Sequence, residues 1–175
     1  MVEVTTYNQF DKKPTDVTDW AAHLFVTSIF PDKNVTPTLL RNEAEIIRGR
    51  RLDVVFDPEL GKVAACSSSP TSGLRGRGLY VNRLAVEPGL RGHGIGSFVI
   101  TTLATDILSS GLGIREISLE TDGDPDRNRF YQRLGFVLGQ GASDTARGFH
   151  TASPYDVLVA TGPVFRRPPE LPRSN

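Results

Sequence analysis

The sequence predicts a mixed α/β or α+β fold, in which a β-sheet carries helices on both faces. Two observations predict it. Runs rich in β-branched and aromatic residues have the period of a strand, and the segments between them repeat apolar residues with the period of a helix. In chain order, these segments give a strand, two helices, three strands, a helix, a strand, a helix and a strand. The length of 175 residues suits one domain with a sizeable core.

The composition excludes several classes of protein. Hydrophobic residues make up 38% of the chain and charged residues 23%, as in ordinary soluble globular proteins. The 20 Lys and Arg residues balance the 20 Asp and Glu residues, so we expect no nucleic-acid partner and no membrane surface. The first residues lack a signal-peptide pattern, and no apolar run approaches the ~20 residues that span a bilayer. Cys66, the only cysteine, is expected to be a small buried residue, and the expected location is the cytoplasm.

The first half of the chain begins with the predicted strand "VEVTTYNQF". A helix then follows from Thr15 or Asp16 and ends at Pro31. Thr36 and Pro37 are typical of the N-cap and first turn of a second helix, which Gly49 ends. The segments "RLDVVF" and "KVAACSSS" form a hairpin around the turn "DPELG". A flexible loop, "SPTSGLRGRG", leads to the strand "LYVNRLAVEP".

The second half begins with the glycine-rich turn "RGHGIG" and a helix that ends at Gly111. The strand "IREISLET" follows, and Asp124 with Pro125 predicts the start of a short helix that reaches Leu134. The segment "PYDVLVATG" is predicted to be a late strand. We expect one domain over residues 1–162 and a Pro-rich, extended tail over residues 163–175.

The glycine-rich turn joins the end of a strand to the start of a helix. Backbone N–H groups there have no acceptor within the helix, and the helix dipole favours anions, so the turn predicts a phosphate site. Arg91 can add a charged contact. The glycines lack the Lys of a Walker loop, and their spacing fails the dinucleotide pattern. A tight turn that binds no ligand is the alternative. The expected N–H donors are Gly92, Gly94, Ile95, Gly96 and Ser97.

Three segments together are similar to the GNAT superfamily of N-acetyltransferases. Arg91-x-x-Gly94-x-Gly96 resembles the family's R/Q-x-x-G-x-G/A loop, which binds a pyrophosphate. The segment "LAVEP" precedes it as in the family, and "FYQRLGF" resembles the family's "lYekxGF" block. The resemblance covers Leu79 to Phe136. It implies a mixed, mostly antiparallel sheet of six to seven strands, with strands four and five splayed apart.

The resemblance also implies acetyl-coenzyme A as co-substrate and no metal. The pyrophosphate would lie in the glycine-rich turn, and the pantetheine arm along the preceding strand. We expect His93 to lie on the solvent side of the turn, within the cofactor-binding stretch. Asp124 takes the place of the family's usual Asn, although it is first interpreted as an N-cap. The residues expected to bind the cofactor are Leu84, Ala85, Val86, Arg91, Gly92, His93, Gly94, Ile95, Gly96, Ser97, Asp124, Asn128 and Tyr131.

Two proton transfers accompany attack of an amine on the thioester. Tyr131 holds the family's usual general-acid position, and packing of its ring on the sheet is the alternative. Many relatives carry a Glu base where this chain has Tyr80, which is no base at neutral pH. Glu120 is the expected base. Asp122, His150 and an ordered water chain remain open.

The sequence therefore predicts transfer of an acetyl group from coenzyme A to a primary amine of an unidentified acceptor, either a small molecule or a peptide. One alternative is an inactive acyl-CoA-binding module of the same fold, and another is a dinucleotide-binding protein. The Arg and Gly residues of "TSGLRGRG" also allow a nucleic-acid contact, but a mobile hairpin loop fits the zero net charge better. The length of the acyl group and the oligomeric state, including a homodimer, stay open.

Overall fold

The computed structural model describes residues 2–29, 34–73, 76–139, 148–162 and 169–171. Its strands are β1 (Glu3–Tyr7), β2 (Arg51–Asp57), β3 (Gly61–Gly73), β4 (Gly76–Val86), β5 (Glu116–Thr121), β6 (Val137–Leu138) and β7 (Gly148–Ala152). Its α-helices are α1 (Thr15–Ile29), α2 (Pro37–Arg48), α3 (Ile95–Ser109), α4 (Pro125–Arg133) and α5 (Pro154–Thr161). None of these helices is both long enough and apolar enough to cross a membrane.

The strands form one seven-stranded sheet in the order β1-β2-β3-β4-β5-β7-β6. β1 with β2, β2 with β3, β5 with β7 and β6 with β7 are antiparallel, while β4 with β5 is parallel. The predicted mixed, mostly antiparallel sheet is therefore confirmed. The parallel pairing begins at Gly78 with Glu116 and ends at Val81 with Leu119, although β4 continues to Val86 and β5 to Thr121.

Two of the predicted helix starts are confirmed by their caps. The Thr36 hydroxyl accepts the N–H of Leu39 at 3.2 Å, with Pro37 in the first turn of α2. The Asp124 carboxylate accepts the N–H groups of Asp126 and Arg127, both at 2.9 Å, at the start of α4. Such caps satisfy N–H groups that the helix itself leaves unpaired, which is why a polar residue before proline predicts a helix start well.

The described chain folds into two compact units. The first contains the described residues of 2–29, 34–69, 83–99 and 169–171, including α1, α2 and strands β1 and β2. Its core joins one face of the strands to the two helices, and each fully buried large side chain there contributes roughly 1.5–3 kcal/mol. The core residues are Val17, Ala21, Ala22, Leu24, Phe25, Ala44, Ile47, Leu52, Val54, Ala65 and Ala85.

The second unit contains the described residues of 70–73, 76–82, 100–139 and 148–162, including most of α3, all of α4 and α5, and strands β5, β6 and β7. The apolar side of α3 is buried in it, as its periodicity predicts, and β5 is buried on both faces from Glu116 to Leu119. α4 has no buried side chain of its own, whereas the residues just after it are buried. The large buried residues of this unit include Ile100, Leu103, Ile107, Ile117, Leu119, Leu134, Phe136 and Val157.

Two predictions about the elements are wrong. The segment "PYDVLVATG" forms helix α5, because the Ser153 hydroxyl caps the N–H of Asp156 at 3.0 Å and Pro154 begins the helix. The late strand is instead β7, which ends just before this helix. The described residues of the predicted loop "SPTSGLRGRG" belong to strands β3 and β4. Residues 74–75 of that loop lie outside the described residues, as do residues 163–168 and 172–175 of the predicted tail, and the single-domain boundary remains a prediction.

Gly135 allows close packing between the end of α4 and helix α5. It has φ +85°, and a Cβ there would lie 2.8 Å from the backbone oxygen of Asp156 and 3.1 Å from the Cβ of Ala160. Gly113 has a comparable φ of +66° with no atom within 4 Å of such a Cβ.

We expect Gly135→Ala to lower the free energy of unfolding by about 2–5 kcal/mol, since it combines backbone strain with overpacking. Gly113→Ala should introduce only the backbone strain and so lower the free energy of unfolding by about 1–2 kcal/mol. Urea denaturation of both variants measures the difference. Equal losses of the free energy of unfolding would show that the close packing of α5 against Gly135 adds nothing to the cost of a Cβ there.

Candidate functional site

The glycine-rich turn leaves a 3-10 turn at Pro88–Leu90 and enters α3 at Ile95. Gly92 and Gly94 have φ angles of +82° and +79°, in the left-handed region that L side chains disfavour. The Gly94 carbonyl accepts the N–H of Phe98 at 2.9 Å, so Gly94 is the residue before the first helical turn. Gly96 and Ser97 lie inside that first turn, whose N–H groups have no acceptor within the helix.

Arg91 connects the end of β4 with helix α1. Its Nε donates to the carbonyl oxygen of Val86 at 3.2 Å, and its Nη2 donates to the Ser28 hydroxyl at 3.2 Å. The sequence predicted a charged contact from Arg91 to a phosphate. Two nitrogens of Arg91 already donate hydrogen bonds within the protein, and one of these bonds fixes the end of β4. The positive charge of Arg91 stays beside the turn.

His93 is exposed, and its side chain contacts the backbone of the turn from the solvent side. Its Nδ1 lies 3.0 Å from the carbonyl oxygen of Arg91 and 3.3 Å from that of Leu90. Because both partners are acceptors, Nδ1 carries the proton and donates. Its expected position on the solvent side of the turn agrees with this geometry.

The predicted pantetheine strand is the last part of β4. Ala85 belongs to the core of the first unit, whereas Leu84 and Val86 are half-buried. These three residues lie beyond Val81, where the pairing with β5 ends. The backbone N–H and C=O groups of these three residues therefore form no hydrogen bonds of the β4–β5 ladder.

In the second unit, the half-buried Tyr131 ring lies among three other rings. The ring centroids of Phe130, Phe136 and His150 lie 4.9, 5.7 and 5.7 Å from that of Tyr131. The Tyr131 carbonyl accepts the N–H groups of Leu134 and Phe136, which closes the C-terminus of α4. The "FYQRLGF" segment thus fixes both the backbone and the ring of Tyr131 through its own residues.

Glu120 lies on the opposite face of the β5–β7 pair from Tyr131. It is paired with Phe149, whereas its neighbour Thr121 contacts His150, whose ring touches Tyr131. Alternation along the strand therefore separates the two predicted catalytic residues by the sheet itself. Glu120 is exposed, as its position at the end of the strand predicts.

Three polar side chains meet on the Tyr131 face of this sheet. The Thr121 hydroxyl lies 2.6 Å from Oδ1 of Asn128, and Nε2 of His150 lies 2.9 Å from the same oxygen. Nδ2 of Asn128 donates to the carbonyl of Gly123 at 3.4 Å. The His150 side chain is fully buried, and burial lowers its pKa. We call this group, Thr121 with Asn128 and His150, the Asn128 network.

The sequence predicts that Asn128 binds the cofactor, and it allows His150 as an alternative base. In the structure the acceptor capacity of the Asn128 amide is already filled by Thr121 and His150. His150 has 0% exposure, so an acceptor amine does not reach it from solvent. Asp122 is exposed and pairs with Arg127 at 2.6 Å.

Asp124 caps α4, as its first interpretation stated. Hydrogen bonds from the backbone, that of Arg127 foremost, hold the pKa of its carboxyl below the ordinary value. The negative charge of this carboxylate is then stabilised by the positive, N-terminal end of the helix dipole. The role of Asp124 in cofactor binding stays a prediction.

Cys66 is fully buried on β3, and burial, with the nearby Asp53 charge, raises the pKa of its thiol. The interpretation of Cys66 as a buried structural residue is therefore supported, since a nucleophile needs the thiolate. Among the residues that the structure describes, no group of three or more His, Cys, Asp or Glu side chains could hold a metal ion.

Sequence reasoning did not detect the Asn128 network as a unit. Its members come from β5, α4 and β7 and are separated by 7 and 22 residues. No local pattern joins them. The one available signal is Gly148, two residues before His150, where a Cβ would lie 2.8 Å from the Thr121 hydroxyl and 3.0 Å from Oδ1 of Asn128.

The chain belongs to the acetyltransferase (GNAT) domain family, whose sequence model matches residues 51–138, half of the chain. Solved structures with this fold include a putative GNAT acetyltransferase from Desulfovibrio desulfuricans, with TM-score 0.67, 16% identity, and coverage of 88% of this chain and 99% of that one. An aminoglycoside 6'-acetyltransferase type Ii has TM-score 0.64, 17% identity, and coverage of 87% and 97%. AtaTR, solved with acetyl-CoA, has TM-score 0.59, 20% identity, and coverage of 91% and 98%. A comparison with curated protein sequences finds no match.

The buried His150 predicts a specific loss of stability in acid. Its pKa lies below the ordinary 6.5 in the folded chain, so between the two values the unfolded chain binds the additional proton. The free energy of unfolding should therefore fall as pH drops below about 6.5, by up to about 1.4 kcal/mol per pH unit from this group.

Denaturant titrations of wild type and His150→Gln from pH 7.5 to 5 test this expectation, because the variant has no titrating ring at 150. The difference between the two curves isolates His150 from the exposed His23 and His93. Parallel curves over the whole range would contradict it.

Proposed function

We propose that this protein is an acetyl-CoA-dependent N-acetyltransferase that acts in the cytoplasm on a primary amine. The single observation that carries the proposal is the turn before α3, where two glycines at positive φ precede the first turn of a helix, whose N–H groups have no acceptor within the helix, in a chain of the GNAT family. Acetyl-CoA bound to AtaTR, a protein of similar fold, supports the choice of co-substrate.

The residues present fit this co-substrate. The N–H groups from Gly92 to Ser97 would hold the diphosphate, with the Arg91 charge beside them. The backbone of Leu84, Ala85 and Val86 would hold the amides of the pantetheine arm, since this edge of β4 extends beyond its pairing with β5. When bound, acetyl-CoA supplies a thioester carbonyl that an amine attacks.

The two proton transfers are assigned to opposite faces of the β5–β7 pair. Tyr131 would give a proton to the leaving sulfur, since its ring is fixed by Phe130, Phe136 and His150. Glu120, exposed next to the end of β5, would take the proton of the amine through ordered water, since the sheet separates its side chain from Tyr131. In direct transfer the amine nitrogen bonds to the carbonyl carbon and loses a proton, while the C–S bond breaks and the sulfur gains a proton.

A second candidate is a module that binds acyl-CoA without transferring the acyl group. Tyr80, half-buried at the position where many relatives carry a Glu base, favours it. Detection of released thiol with a panel of amines decides between the two. The panel should include an aminoglycoside, because a protein of similar fold acts as an aminoglycoside 6'-acetyltransferase, together with a polyamine, an amino acid and a peptide.

Thiol release that saturates with one of these amines supports the enzyme. Tight binding of acetyl-CoA with no release above background, over the whole panel, favours the binding module. No binding of acetyl-CoA would refute both.

We expect Gly94→Val to abolish coenzyme A binding, because a β-branched side chain at φ +79° distorts the turn and blocks the approach of a phosphate. Gly61→Val is the matched control. Gly61 has φ +78° in the β2–β3 hairpin, with no atom within 4 Å of an added Cβ. Both variants should lose similar stability, about 1–2 kcal/mol or more.

Calorimetric titration with coenzyme A and thermal melts separate the two effects. If Gly61→Val binds coenzyme A and Gly94→Val does not, the result supports the turn as the phosphate-binding site. Unchanged affinity in Gly94→Val would refute the phosphate assignment.

We expect Tyr131→Phe to lower kcat by about 10²-fold or more while the Kd for acetyl-CoA changes little, since it removes one proton donor and keeps the ring packing. Tyr155→Phe is the control, because Tyr155 is 67% exposed on α5. Steady-state kinetics and calorimetry measure the two quantities. A small, equal change in both would reduce Tyr131 to a packing residue.

A further inference from the structure

We infer that the Asn128 network is a positioning device for Tyr131, in which Asn128 holds His150 uncharged and protonated at Nε2. This inference rests on the proposed function for its catalytic consequence. His150 acts through Tyr131 and is not itself a catalytic residue, because its side chain is fully buried.

The distances identify which atom of the Asn128 amide faces its neighbours. The Thr121 hydroxyl lies 2.6 Å from that atom, which suits an O–H···O bond and is shorter than ordinary N–H···O bonds. Nδ2 then faces the Gly123 carbonyl at 3.4 Å, where a donor is needed. The atom between Thr121 and His150 is therefore the amide oxygen.

The amide oxygen fixes the tautomer of His150. It lies 2.9 Å from Nε2, so Nε2 must carry a proton and donate it. Nδ1 is buried with no hydrogen-bond partner among the described residues. A second proton there would place an uncompensated charge in the interior, so the neutral Nε2–H form is the one that this arrangement accepts.

The network reaches Tyr131 by two routes. Asn128 and Tyr131 are three residues apart on α4, so they lie on one side of the helix. The amide of Asn128 fixes that side of α4 to β5 and β7, and the His150 ring contacts the Tyr131 ring at 5.7 Å between centroids. Gly148 leaves the room for this arrangement, because a Cβ there would lie 3.1 Å from Nε2 of His150.

Charged groups on the neighbouring elements do not compensate a charge on His150. On β5, Glu120 faces the other side of the sheet, and Asp122 beyond it pairs with Arg127. On β6 the partner of His150 is Leu138. On α4 the titratable side chain in contact with the ring is Tyr131. Burial lowers the pKa of His150, and none of these charged neighbours offsets that effect.

The first test reads the tautomer without any activity. Nitrogen-15 NMR of the protein, with His150 assigned by comparison with His150→Gln, distinguishes the two neutral tautomers and the charged ring. We expect the Nε2–H form at pH 8 and 7, and the neutral ring should persist below pH 6.5, since burial lowers the pKa of His150. A Nδ1–H form, or a charged ring at pH 7, would overturn the inference.

The second test compares kcat with pH in three variants. His150→Gln keeps an N–H donor but no ring, so kcat should fall about 10-fold with the KM for acetyl-CoA within about 2-fold. Asn128→Asp places a negative charge against Nε2, so the acid limb of the kcat profile should move up by about one pH unit or more. His23→Gln, an exposed histidine on α1, should match wild type.

The possible outcomes separate the inference from the proposed function. If wild type transfers acetyl groups and His150→Gln has the same kcat, or Asn128→Asp leaves the acid limb in place, the positioning role is wrong while the function stands. If wild type neither binds acetyl-CoA nor releases thiol, the proposed function fails, and the NMR result alone decides the state of the network.

Discussion

The change of direction between β4 and α3 is the constraint on which the first unit's functional region depends. β4 must end where Arg91 holds the Val86 carbonyl, and α3 must begin within a few residues. Only residues that tolerate positive φ can make that turn, which accounts for Gly92 and Gly94. The same geometry leaves a helical first turn with N–H groups that no helix carbonyl satisfies. The proposed anion site thus depends directly on how the chain turns.

The second unit uses a different constraint, the placement of rings and amides around α4. This helix buries none of its own side chains, so its position depends on its ends and on the residues that follow it. Asp124 caps one end, and the Tyr131 carbonyl closes the other. Gly135 lets α5 approach, and the Asn128 network fixes the inner side. Tyr131 is therefore held by contacts from several elements, which its proposed role as a proton donor would require.

Local chemistry made much of the fold predictable. Thr36 with Pro37, Asp124 with Pro125, and the glycines after β4 identify helix starts because each effect acts within a few residues. Ser153 with Pro154 is a signal of the same kind, but the apolar run after it has the composition of a strand, so the sequence predicts a strand where the chain forms α5. The Asn128 network could not be predicted, because its hydrogen bonds join three elements that only the folded sheet brings together. The acceptor likewise has no sequence pattern to identify it.

The account depends most on the turn before α3 binding a diphosphate. Calorimetric titration of the wild-type protein with coenzyme A and with pantetheine tests this directly, since the two ligands share the thiol arm and differ by the nucleotide diphosphate. Charge-assisted hydrogen bonds to the turn predict that coenzyme A binds at least about 100-fold more tightly. Equal affinities for the two ligands, or no heat with coenzyme A, would contradict the account.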